Sequence, residues 1–229
     1  VHHDDTPVDM QDYNSGKPRG QRMREARLWV ATAPPREGPW TVFDFTESRA
    51  TEGPRDFLGG FSGRVACDAY AVYGRLATAE SGPPRVGLIG CWAHVRRKFF
   101  DLHAAHASPV AAEALQRIGA LYAIEKDILG QPPLERQVAR TSRAGPLLTN
   151  LHDWLQETLR GLSRKSALAE AIRYALKLWP ALIRYTGNGL VEIDNNAAER
   201  ALRTVALGRK NFLFAGSDAG GERAAAIYS

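Results

Sequence analysis

Acidic residues stand in three places where they could do chemistry: Asp4 with Asp5 in "HHDDTPVDM", Asp68 in "VACDAY", and Glu199 in "IDNNAAERALR". Each also has an ordinary reading. Asp4 and Asp5 open a short β-prone run, where a charged terminus is the plain explanation. A strand sends neighbouring side chains to opposite faces, so only one of the two can easily point into a given site. Asp68 closes an apolar strand. It is placed either to reach a crevice at the strand's carboxyl end or to cap the next element. Glu199 and Arg203 are four apart, the spacing of a surface ion pair worth roughly 0.2–0.5 kcal/mol. That pair leaves the two asparagines and two alanines unexplained. Asp194 or Asn195 can cap a helix, and small residues let it lie close to a sheet while Glu199 reaches past.

Together the acids allow one definite chemistry. Three carboxylates meeting at a sheet edge can hold two divalent ions roughly 4 Å apart. Mg²⁺ suits such oxygen ligands, with Mn²⁺ as a substitute. One ion would activate a water or a DNA 3′-hydroxyl, and the other would stabilise the leaving 3′-oxygen. No protein nucleophile is needed, and no serine or cysteine nucleophile motif is present. "GSDAGG" is neither a phosphate-binding loop nor a dinucleotide fingerprint, so no nucleotide cofactor is expected. Basic residues border the acids in sequence: Arg96, Arg97 and Lys98 in "CWAHVRRKFF", Arg200 and Arg203 beside Glu199, and Arg209 and Lys210 in "GRKNF". They are candidates for binding DNA phosphates, against the alternative of solvated helix ends. Trp92, Phe99 and Phe100 read as core rather than base-stacking residues. Cys91, His94, His103 and His106 have the superficial spacing of a zinc site but fall on a strand end and one helix. His2 and His3 read as terminus rather than ligands.

The elements that must position the acids are legible as α/β over the first hundred residues. "HHDDTPVDM" reads as a strand. "ARLWVATA" and "WTVFDFTES" read as an antiparallel pair across the turn signal "PPREGP". "ATEGPRDFLGGF" reads as a short helix, "GRVACDAY" and "RVGLIGCWA" as strands, "AVYGRLATA" as a helical run, and "HVRRKFFDLHAAH" as a helix. From Asp101 to Tyr185 three amphipathic helices follow. The first carries Leu115, Ile118, Tyr122 and Leu129 at helical spacing, and the second Leu148, Leu151, Trp154, Leu155 and Leu159. The third is capped by Ser166 and bent or restarted near Pro180. Ala198, Leu202 and Val205 then form the buried stripe of the Glu199 helix. The expected division is 1–100, a helical insertion at 101–187, and 188–229.

The bulk properties narrow the class. The chain has 229 residues, 44% hydrophobic and 24% charged, so it folds rather than staying disordered. Thirty Lys and Arg against 25 Asp and Glu give +5, which permits a polyanionic partner. Two cysteines exclude a disulfide-stapled scaffold. No apolar run is long enough for a membrane span and no signal-peptide layout opens the chain, so a cytoplasmic protein is expected.

The blocks "DDTPV", "VACDAYAVY", "GCWAHVRRKFFD", "LYAIEKDI", "SALAEAIRYAL", "EIDNNAAERALR" and "GRKNFLFAGSDAGGERAAAIYS" resemble, in order, the catalytic domain of the insertion-sequence-66 family of bacterial transposases. The resemblance implies a ribonuclease-H-like mixed sheet flanked by helices, with an all-helical insertion before the last catalytic helix. It implies an Asp-Asp-Glu triad, carried here by Asp4, Asp68 and Glu199, with Asp5 standing where the family has Glu. It implies Mg²⁺-dependent cleavage and strand transfer at transposon ends, double-stranded DNA as partner, self-association on DNA, and accessory proteins of the same element. It also implies a longer protein, with an N-terminal DNA-recognising part and a continuation past Ser229. A nuclease without strand transfer and an inactive DNA-binding fragment are the alternatives.

Overall fold

The computed structural model describes residues 1–11, 16, 18, 23–33, 40–50, 52–68, 73, 86–211 and 216–229; for 209–211 it describes the backbone alone. Most of the loop expected at Ser15 to Arg24, the "PPREGP" turn, and all of the "AVYGRLATA" run except Tyr73 lie outside the described residues. The chain divides into two compact units, Val1–Leu88 with Asn195–Ser229, and Ile89–Asp194. Among the described residues no helix is long and apolar enough to cross a membrane.

The first unit is built on a five-stranded mixed sheet. Its strands are β1 (His2–Gln11), β2 (Met23–Thr32), β3 (Thr41–Thr46), β4 (Gly63–Cys67) and β5 (Val86–Gly90), in the order β3-β2-β1-β4-β5. β1, β2 and β3 pair antiparallel in sequence order, and β4 joins β1 in parallel with His2 opposite Ala66. The short helix α1 (Glu52–Phe57) connects β3 to β4. This order, with helices packed on the sheet, is the ribonuclease-H-like arrangement.

Alternation sorts the strand residues between two faces. On one, Val8, Leu28, Val30 and Phe43 meet Ala198, Leu202 and Val205 of one C-terminal helix and Ala225 of another. Here the stripe expected from spacing is the stripe that is buried. On the other face His3 lies among Trp29, Phe57 and Tyr73, with ring centroids 5.3–5.7 Å away. His2 and His3, 2% and 0% exposed, are core residues and not a loose terminus.

The second unit is helical. It holds α2 (Trp92–His106), α3 (Pro109–Asp127), α4 (Pro133–Ala139), a π-helical stretch (Arg140–Ala144), α5 (Gly145–Arg160), α6 (Ala167–Leu182) and a 3₁₀ turn (Arg184–Gly187). Ser108 and Ser166 cap α3 and α6 through their side chains, donors being the Ala111 and Ala169 amides. α6 runs through Pro180 and ends two residues later. The buried line of α3 is Ala111, Ala114, Ile118, Leu121 and Ile124. It is rotated from the expected one: Leu129 is 75% exposed and Tyr122 half-buried, because small alanines let the neighbouring helices approach. Among the aromatics at the start of α2, Trp92 and Phe99 are buried as expected, whereas Phe100 is 49% exposed, its ring under the Arg96 guanidinium.

α4 was not expected from periodicity. The inward face of α4 and of the π-helical stretch after it is charged. Arg136 and Arg140 are 2% and 0% exposed. Arg140 donates to Glu125 at 2.6 and 2.8 Å and to the carbonyls of Tyr185, Asn188 and Val191. Arg136 donates to Glu125, Glu192 and the Gly189 carbonyl. Two guanidiniums thus pin the segment that leads to Asp194. The remaining two helices, α7 (Asn196–Asn211) and α8 (Asp218–Tyr228), belong to the first unit.

Candidate active site

Asp4 lies on β1 opposite Val30, and directly opposed residues of antiparallel strands point to the same face. Val30 packs in the cluster with α7, so Asp4 faces the helix that carries Glu199. Parallel pairing of His2 with Ala66, extended by two residues, brings Asp4 level with Asp68 just past the end of β4. Asp68 is half-buried and so is Glu199, in the first turn of α7.

Asn195 explains part of the odd sequence before Glu199. It is fully buried. Its Oδ1 accepts from His2 Nδ1 at 3.1 Å, and its Nδ2 donates to the His3 carbonyl at 3.0 Å. A side-chain amide therefore sews the start of α7 to the first residues of β1. The Glu199 amide in turn donates to the Asn195 carbonyl at 3.3 Å, closing the first helical turn. Glu199 is held one turn from a clamp on the strand of Asp4. In the helical unit, Tyr122 donates to Asp194 at 3.1 Å.

The electrostatics report the same neighbourhood. Burial raises the Asp4 carboxyl to about 7, and the charges of Asp68, Asp5 and Glu199 push the same way; the Asp5 amide, donating to Asp4 Oδ1 at 2.8 Å, opposes them. Among the described residues Asp4 has no cationic partner. Asp5 is different. Its side chain is 2% exposed and faces the other way, with Arg27 at 3.1 Å on one oxygen and Arg49 at 2.9 Å on the other. Burial raises its carboxyl while Arg49 and then Arg27 lower it. Arg49 also stands 3.7 Å from Asp68, too long for a hydrogen bond but close enough to offset its charge. No motif or spacing marks Arg49, a lone basic residue in a bend. His3 hydrogen-bonds Tyr73 at 2.6 Å, and burial lowers it to about 3, so it is neutral in the fold.

The three acids are electrostatic neighbours but not one tight shell. Among the described residues, the oxygens of Asp4, Asp68 and Glu199 do not all lie within 4.8 Å of one another. Arg200 and Arg203 are exposed on α7. Arg96 and Arg97 are exposed and Lys98 half-buried on α2, within the helical unit. The side chains of Arg209 and Lys210 lie outside the described residues. Cys91 and His94 open α2, whereas His103 and His106 lie in its exposed last turn, His103 Nδ1 being 3.2 Å from the Ser108 carbonyl. No three of the described acids, histidines and cysteines within Ile89–Asp194 share metal-binding reach.

The profile of the Transposase IS66 family matches residues 1–223. The chain belongs to the IS66 transposase family. Among curated relatives, "Uncharacterized protein y4hP" of Sinorhizobium fredii (strain NBRC 101917 / NGR234) is 34% identical, the match covering 99% of this chain and 43% of the relative. "Uncharacterized protein y4qI" of the same organism is 36% identical over 89% of this chain and 38% of the relative. The chain thus spans less than half the length of these curated relatives. No solved structure matches it significantly. Family membership makes this a transposase-type chain.

Proposed function

We propose that this chain catalyses Mg²⁺-dependent cleavage of phosphodiester bonds and strand transfer at transposon ends, with Asp4, Asp68 and Glu199 as metal ligands. One observation carries the reading. Asp4 sits buried, without a cationic partner among the described residues, in the field of Asp68 and Glu199, and its carboxyl is raised to about 7. A carboxyl raised first by burial and then by its acidic neighbours is what a divalent cation would relieve. The donor set is all oxygen, which fits Mg²⁺ or Mn²⁺ better than zinc.

When bound, the two ions would supply an activated water or 3′-hydroxyl and a counter-charge for the leaving 3′-oxygen. The chain's own residues do the positioning. Asn195 holds α7 to β1 and so fixes Glu199 relative to Asp4. Asp5 serves as the buried anchor of Arg49, which leans on Asp68. Exposed Arg200 and Arg203 are placed to meet phosphates of duplex DNA. The same reading has the protein working on DNA in the bacterial cytoplasm, self-associated in the DNA complex and assisted by other proteins of the element.

The test uses the purified chain with Mg²⁺ or Mn²⁺ and a DNA duplex carrying a free 3′-end. Nicked and joined products are scored for the parent and for Asp68→Asn and Glu199→Gln. Both products from the parent and neither from the variants are expected. Nicks without joining would reduce the activity to a nuclease, and equal products from parent and variants would remove the triad.

A further inference from the structure

The helical unit carries a charged surface that the catalytic reading leaves unused. α2 and α6 pack together, and Lys98 of α2 lies with its Nζ 4.6 Å from the centre of the Tyr174 ring of α6. That contact places the neighbouring cations of both helices on one side. Arg97 is exposed next to Lys98, and Arg173 and Lys177 are exposed beside Tyr174. Arg173 donates to the Arg164 carbonyl at 2.8 Å, folding the turn that holds Arg164 and Lys165 back onto α6. Six cations result, with Asp101 and Glu170 as the exposed acids on the same two helices.

What distinguishes this ridge is the lack of acid partners. Among the described residues none of the six cations is ion-paired. Elsewhere in the unit Arg117 pairs with Glu113, Arg143 with Asp127 and Arg160 with Glu157. Those three arginines are matched and the six ridge cations are not. Unmatched, exposed Lys and Arg in a row along a helix fit a regularly spaced polyanion. In a transposase-type chain that polyanion is DNA.

We propose that the α2–α6 ridge, centred on Lys98, Arg173 and Lys177, is a DNA-backbone-binding surface that reads phosphates and not sequence. The inference rests on the transposase reading for the identity of the polyanion, and it requires neither the metal nor the triad. Its test is binding of a short random-sequence DNA duplex in EDTA over a salt series. The ridge variant is Lys165→Gln/Lys177→Gln, which leaves Arg173 holding the turn. The control is Arg143→Gln/Arg160→Gln, which removes the same charge from paired positions.

For the ridge variant, the slope of log affinity against log salt should become shallower by about 1.8, or about 0.9 per lost phosphate contact. Affinity near 0.1 M salt should fall about tenfold or more. The control should keep the parental slope. A ridge variant that binds with parental slope and affinity, or a control that loses as much, overturns the proposal. Failure of the triad is read separately: Asp68→Asn that still cleaves refutes the catalytic reading and leaves the EDTA binding result untouched.

Discussion

Replacing Asp4 by Asn should stabilise the protein at alkaline pH. Asp4 is raised from 3.8 to about 7 in the fold. The native state therefore holds a proton that the unfolded chain has already released. By linkage, each pH unit between those two values removes about 1.36 kcal/mol of stability, and the loss stops above the folded value. Between pH 5 and pH 8 about two of those units are crossed, which amounts to about 2–3 kcal/mol. His3 works in the opposite direction. Its folded value is about 3 against an ordinary 6.5, so its contribution is complete above 6.5 and shrinks as the pH falls. The two partly cancel in the parent, which is why the comparison must be made against the variant. Urea unfolding of parent and Asp4→Asn in EDTA isolates the Asp4 contribution. The stability of Asp4→Asn relative to parent should rise by about 2–3 kcal/mol from pH 5 to pH 8. A difference independent of pH, or one that moves against Asp4→Asn as pH rises, would refute the picture of Asp4 as a carboxyl strained by burial and by its acidic neighbours.

Other perturbations test the framework around the site. Asp5→Asn leaves Arg27 and Arg49 without the buried carboxylate they share and should cost about 2–3 kcal/mol, measured by denaturant unfolding at neutral pH. Arg140→Met strands three carbonyls and removes two of the three arginine hydrogen bonds to Glu125; a loss of about 3–5 kcal/mol is expected in the same assay. Gly189→Ala and Gly119→Ala should move in opposite directions. A Cβ at Gly189 would fall 1.6 Å from the Pro133 carbonyl oxygen, whereas one at Gly119, inside α3, meets nothing within 4 Å. The first should lower stability by about 2–3 kcal/mol and the second should raise it by about 1 kcal/mol.

Much of the fold could be read from the residues because local chemistry and burial agree there. Alternation and turn signals marked β1, β2 and β3, and Ser166 announced the start of α6. The stripe of α7 was legible because Ala198, Leu202 and Val205 are apolar at helical spacing and also the residues that meet the sheet. Legibility failed where polar residues form the interior. Arg136 and Arg140 have the spacing of a solvated helix face, and only Glu125 and the carbonyls of a distant loop make them core. The α3 stripe was misjudged because Leu115 and Leu129 outweigh alanine in any pattern count, yet close packing favoured Ala111 and Ala114. At the candidate site, strand alternation required Asp4 and Asp5 to differ but could not choose between them. The arginines that claim Asp5 lie 22 and 44 positions away in sequence, where spacing carries no signal.

The most direct test of the central claim is the position of Mn²⁺ by anomalous scattering in crystals of this chain soaked with the ion. Density bounded by the carboxylates of Asp4, Asp68 and Glu199, and lost in Asp68→Asn, is the expected result. Mn²⁺ bound elsewhere while those three carboxylates stay empty would contradict it.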